Sequence, residues 1–190
     1  MNPMKRLSAS LSSMSTSNRK PPKRAINRRS FLGTSLALGG VIFVMVAIAQ
    51  SALADDLVRF SGGIGVIPTG STNTTVRGVA AAGQIWVIRD LAADVEQGGR
   101  IQLDGRGLLL GSGNGVGSNA NARVFATLFC ANDGNVQHSS NLAGVPLQVK
   151  GDFRIDDRLS PAPPNRCDSP VLLIRNAANG GWFAAGIPRS

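Results

Sequence analysis

Leu91-Ala92-Ala93-Asp94-Val95-Glu96-Gln97-Gly98-Gly99-Arg100-Ile101-Gln102-Leu103-Asp104 is the stretch that decides the fold. Leu91, Ala93 and Val95 alternate with Ala92, Asp94 and Glu96, and Ile101 and Leu103 alternate with Arg100, Gln102 and Asp104. A period of two with the charges on one side belongs to strands with one wet face. Gln97-Gly98-Gly99 supplies the turn between them, so the stretch predicts a hairpin.

The same grammar extends in both directions. Residues 85–95 read as one strand. Upstream, residues 57–60 open the domain and Gly62-Gly63 close that strand. Residues 64–67 form a second short strand ended by Pro68, and 75–79 an edge strand. Downstream, Gly105 and Gly107 predict a bulge or a close approach of another backbone. Leu108-Leu109-Leu110 is apolar throughout and predicts burial on both faces. Residues 124–130 form a core strand, and 131–142 a polar loop. Residues 145–149 and 152–156 are strands broken by Gly151. Residues 159–170 carry Pro161, Pro163, Pro164 and Pro170, which impose an extended crossover without helix. Residues 171–174 and 182–187, joined by Asn179-Gly180-Gly181, are the last two strands. Eight to ten short strands and no helix after residue 54 predict an all-β domain. The expected form is a Greek-key, loosely Ig-like β-sandwich, with a closed β-barrel as the alternative.

The formal charge of +9 suggests a nucleic-acid binder until the charges are placed along the chain. Residues 1–54 hold eight basic residues and no acid. That leaves twelve basic against all eleven acidic residues in 55–190, a net of +1. Such a domain lacks the excess positive charge that holds phosphate backbones, so no nucleic-acid partner is expected. Residues 55–190 have the length of one ordinary domain, which buries roughly two-thirds of its unfolded surface.

Residues 1–30 are polar and basic, with too little apolar surface to fold. Arg28-Arg29-Ser30-Phe31-Leu32 leads into an apolar stretch over 31–49. Ala52-Leu53-Ala54 then precedes Asp55-Asp56. A basic leader, an apolar run and an A-x-A site compose a secretory signal with cleavage between Ala54 and Asp55. Arg28, Arg29, Phe31 and Leu32 resemble the twin-arginine export motif, with departures at the flanking Asn27 and Gly33. The resemblance implies a bacterial or organellar export machinery and a signal peptidase as partners. It also implies an extracytoplasmic, periplasmic or secreted product that folds before transport and keeps no stable membrane anchor after cleavage. Two alternatives stay open at this point: an uncleaved anchor, since about 20 apolar residues can span a bilayer, and export by the general route. Residues 57–188 are also similar to a group of exported bacterial proteins of about this length and unassigned activity. Phe60-Ser61-Gly62-Gly63-Ile64-Gly65-Val66, Asp104-Gly105-Arg106-Gly107-Leu108-Leu109-Leu110, residues 151–157 and Trp182-Phe183-Ala184-Ala185-Gly186 carry that similarity, which brings no site residues with it.

Few side chains in 55–190 suggest chemistry. Cys130 and Cys167 are the only cysteines, and an even pair on an exported chain predicts a disulfide, with two buried thiols as the alternative. His138 is the only histidine, placed in the polar loop beside Ser139 and Ser140, and reads as solvated rather than catalytic. Once the cysteines pair, the chain offers no ligand set for zinc or copper, so no cofactor or metal is expected. Asp152, Asp156 and Asp157 suggest calcium ligation or a carboxylate pair, possibilities weakened by the interleaved Arg154 and Arg158. The glycine-rich residues 111–122 match no phosphate-binding spacing but make a long loop, and long loops often bind. Trp86 and Trp182 sit in apolar strands and are expected in the core. The function expected is a non-enzymatic binding or envelope-associated module. The alternative is a small hydrolase using Asp152 and Asp156, joined by Asp104 or His138.

Overall fold

Eleven strands arise where apolar side chains alternate or cluster in the described residues, 55–69 and 74–189 of a computed structural model. The export signal and its cleavage site lie outside these residues, apart from Asp55. The strands are β1 (Asp56–Gly65), β2 (Trp86–Val87), β3 (Asp90–Glu96), β4 (Arg100–Arg106), β5 (Leu109–Leu110), β6 (Arg123–Phe129), β7 (His138–Ser139), β8 (Val145–Pro146), β9 (Phe153–Arg158), β10 (Val171–Asn176) and β11 (Trp182–Pro188). The fold is all-β, as the sequence predicts.

The deciding hairpin is β3 and β4, paired antiparallel from Asp90↔Arg106 to Val95↔Ile101. Leu91, Ala93, Val95, Ile101 and Leu103 are buried, and the residues between them are largely exposed. One antiparallel sheet grows from this pair in the order β7-β6-β10-β11-β1-β3-β4-β9, with β8 added on β6. Its two ends meet. Ser139 of β7 and Ser160, just beyond β9, exchange backbone hydrogen bonds of 3.1 and 2.8 Å. The sheet is thus nearly a closed barrel, and this two-bond seam joins its edges. A separate two-stranded sheet, β2-β5, packs against β1 and β11.

The core fills the inside. Gly186 of β11 shows how closely: a methyl group there would meet Phe60, Leu172 and Leu91, from three other strands, at 3.1–3.3 Å. On β6 every residue from Val124 to Phe129 is buried. The face turned from the core is covered in turn. The Arg175 guanidinium lies 5.1 Å over the Phe125 ring, and the Thr127 hydroxyl meets that of Ser139 at 2.9 Å.

Several local expectations change. Gly62-Gly63 does not end the first strand, and 64–67 is not a separate one. Gly62 adopts a left-handed φ of 88°, a register shift follows between Phe60 and Gly63, and β1 continues through this bulge to Gly65. Residues 85–95 divide into β2 and β3. Residues 75–79 make only a Val76↔Val79 bridge. Strand 145–149 shortens to β8, leaving Val149 exposed. Leu109 is only half-buried between the buried Leu108 and Leu110. Gly105 is a close approach and not a bulge: it faces Phe153 across the β4–β9 ladder, and a methyl group there would lie 2.2 Å from the Phe153 ring. The polar loop 131–142 contains a 3-10 turn (Ala131–Asp133) and the buried strand β7.

Candidate functional site

The carboxylates of the hydrolase alternative do not converge. Asp104 accepts from Arg154 Nη1 at 3.3 Å, directly across the β4–β9 ladder, and Asp156 accepts from Arg100 Nη2 at 3.1 Å. Asp152 accepts from the Gly107 amide at 3.0 Å. Four residues along a strand separate Asp152 from Asp156 by about 13 Å. These are the exposed cross-strand ion pairs that interleaved arginines imply, each of small energetic weight. Asp157 is structural too, accepting from the amides of Asn141 and Arg158 at 2.7 and 2.8 Å.

His138 departs from expectation. It is not a solvated loop residue: it stands on β7, paired with Leu128 of β6, and is 3% exposed. Two-residue strands inside polar sequence carry no periodic signal, which is why the burial was not legible. Its Nδ1 lies 2.9 Å from the Pro161 carbonyl and its Nε2 2.5 Å from Asp133 Oδ2. Both ring nitrogens therefore face oxygen atoms, the Pro161 carbonyl on one side and the Asp133 carboxylate on the other. Ser139 bonds to Thr127 instead, and the Ser140 hydroxyl accepts from the Ala126 amide at 3.0 Å. Among the described residues the imidazole's partners are a carbonyl and a carboxylate, and neither neighbouring serine bonds to it. Cys130 and Cys167 form the expected disulfide immediately beyond, with Cα atoms 4.8 Å apart.

A cleft of about 570 Å³ lies elsewhere, between the ends of β2, β6, β10 and β11. Ala120, Asn121 and Ala122, the end of the glycine-rich loop, form one wall. The β10–β11 turn, Asn176 to Asn179, forms the other. Trp86 and Phe183, stacked with ring centroids 3.9 Å apart, touch its floor. Trp86 is otherwise buried, and Trp182 is also buried, its Nε1 donating to the Thr74 carbonyl at 2.9 Å.

The loop wall is anchored and strained. Ala120 and Asn121 both take left-handed φ values, 50° and 49°. For alanine that conformation costs about 1–2 kcal/mol. The surroundings impose it: Ser118 Oγ accepts from the Ala120 amide and Asn119 Oδ1 from the Asn121 amide, while Asn119 Nδ2 donates to the Leu147 and Gln148 carbonyls at 3.0 Å. The cleft's one charged residue, Arg123, is engaged, donating to the Ala143 and Gly144 carbonyls at 2.9 and 2.5 Å. What remains for a ligand is neutral: the side-chain amides of Gln84 and Asn121, the amino groups of Asn176 and Asn179, alanine methyls and aromatic edges. The loop is legible in the sequence and the cleft is not, because its walls come from segments far apart in the chain.

Arg175 stands outside this cleft, bonded to Gln137 and to the Gly180 carbonyl, and burial lowers its guanidinium from the ordinary value. Among the described residues, no helix is long and apolar enough to cross a membrane. Comparison with protein-family models, with curated proteins and with solved structures finds no match to this chain.

Proposed function

We propose that this chain is an exported, extracytoplasmic, non-enzymatic binding module whose ligand is small and uncharged and seats in the cleft beside Trp86 and Asn121. One observation carries the reading: a strained, fully anchored wall faces a concavity whose lining offers amides and aromatic edges but no acid, base or nucleophile. Backbone strain of this kind persists where the surroundings over-determine it, often at binding sites. Arginine cannot serve as a base, since it stays protonated in proteins.

The cleft is tested by filling it. Ala178 is exposed on the β10–β11 turn and lines the cleft. Neutral oligosaccharides and small amides, screened by ligand-observed NMR, are expected to yield binders that lose at least about tenfold in affinity to Ala178→Trp, more than 1.4 kcal/mol. Hits that bind wild type and variant equally would remove the cleft from consideration.

Export by the twin-arginine route rests on Arg28-Arg29-Ser30-Phe31-Leu32, and the disulfide is in keeping with an oxidising destination. Replacing Arg28 and Arg29 together by lysine is expected to trap the precursor inside the cell. Fractionation showing undiminished export of the double variant would rule that route out.

A further inference from the structure

We propose that the reduced protein binds one zinc-class metal ion at Cys130, Asp133 and His138, and that closing the Cys130–Cys167 disulfide expels it. The three residues come from the end of β6, the 3-10 turn and β7. One ligand atom from each, Sγ, a carboxylate oxygen and a ring nitrogen, lies within 4.8 Å of the others. Thiolate, imidazole and carboxylate are the ligands zinc takes. Bonds of about 2.0–2.3 Å in a tetrahedron place ligands roughly 3.3–3.8 Å apart, so side-chain rotation closes the remaining distance.

The supporting shell is already present. Histidines that bind metal usually donate their other N–H to a carbonyl or carboxylate, which fixes the tautomer. His138 Nδ1 faces the Pro161 carbonyl, a partner able to accept its N–H, and Nε2 is turned towards Asp133. Asp133 Oδ1 accepts from the Val136 amide, which holds the carboxylate in place. Cys130 is fully buried, whereas the Asp133 side chain is 17% exposed, which gives an entry path.

Redox state decides whether the set is complete. In the disulfide Cys130 has no thiolate, and the ligands fall to one imidazole and one carboxylate. A dithiol reductant delivers two electrons, breaks the S–S bond and closes to its own disulfide, leaving two thiols here. Zinc then binds Cys130 as thiolate together with Asp133 and His138, and a water molecule completes the tetrahedron. The Cys130 thiol proton passes to solvent, and Cys167 stays a thiol. A disulfide-bearing oxidoreductase reverses this: it accepts two electrons, the Cys130–Cys167 bond forms, and the metal leaves. The inference does not depend on the export route or on the cleft.

The test uses the full chain, reduced with a non-chelating phosphine without oxygen and titrated with Co2+, then Zn2+. The expected result is one Co2+ per chain, with thiolate-to-cobalt absorption and the intense visible bands of tetrahedral cobalt, displaced by zinc and absent from the oxidised protein. His138→Gln is expected to weaken zinc binding by at least about 100-fold and Asp133→Asn by about tenfold. Tryptophan fluorescence of each oxidised variant, held by its disulfide, shows whether the fold survives. If His138→Gln does not fold, Asp133→Asn decides. The proposal is overturned by a reduced chain without the cobalt bands, by oxidised protein that binds equally well, or by folded variants with wild-type affinity. A reduced chain that unfolds and that zinc does not refold overturns it as well.

Discussion

Replacing Cys130 and Cys167 together by alanine is expected to lower the unfolding free energy by about 4 kcal/mol. The bond closes a loop of 37 residues, and the chain-entropy model assigns that loop this magnitude at 25 °C. Alanine is the right replacement at Cys130, which is fully buried and would leave a serine hydroxyl stranded. The loop contains β7, β8, β9 and the proline-rich crossover, so the cross-link restrains both edges of the sheet in the unfolded chain. Urea unfolding followed by tryptophan fluorescence should show an earlier midpoint and a steeper dependence on denaturant, because the unlinked chain exposes more surface. A thermal midpoint lower by roughly 15 °C accompanies it. A loss below about 1 kcal/mol would mean that the bond ornaments a fold secured by packing alone.

Gly65→Ala is expected to cost about 3 kcal/mol or more. Gly65 ends β1 opposite Ala184 of β11, and β2 crosses directly over it. A methyl group there would lie 2.1 Å from the Trp86 carbonyl oxygen and 2.8 Å from the Val87 Cα, both backbone atoms that no rotamer can move aside. Relief requires β2 to lift away. That breaks the hydrogen bond from the Trp86 amide to the Val66 carbonyl at 3.0 Å and pulls Trp86 off Phe183. The variant should therefore lose near-ultraviolet tryptophan ellipticity and ligand binding in the cleft together with stability. Gly83→Ala is the control: nothing lies within 4 Å of the added methyl, and a change within about 0.5 kcal/mol is expected. Equal losses in the two variants would refute the steric account.

What the sequence revealed follows from where physical signals are local. The β3–β4 hairpin was legible because alternation of Leu91, Ala93 and Val95 with exposed residues repeats long enough to exclude other readings. The exposed placement of Arg154 and Asp156 followed from the same period, since Phe153 and Ile155 needed the core. The disulfide was legible from the parity of the cysteines. His138 was not, because its burial depends on pairing with Leu128 and on the Pro161 carbonyl, 23 residues away. The continuation of β1 through Gly62 was misread for a related reason: glycine ends strands in general, but here its left-handed φ admits a bulge that keeps the ladder running. The cleft was invisible because no one segment makes it.

The seam between Ser139 and Ser160 has a bearing on how this protein keeps company with itself. Two backbone hydrogen bonds, with the His138–Pro161 and Asn141–Asp157 contacts beside them, make a short closure, and brief local opening there would bare the free edge of β9. Bare edges invite strands from other molecules and lead towards aggregation. On β9, however, Arg154, Asp156 and Arg158 all point to solvent. Arg154 and Asp156 are paired with Asp104 and Arg100 of β4, and Arg158 donates to the Gly98 carbonyl, so this charged face stays wet when the edge opens. A strand that docked on the opened edge would have to leave that face hydrated, which favours re-closure of the barrel over pairing with a second, apolar chain.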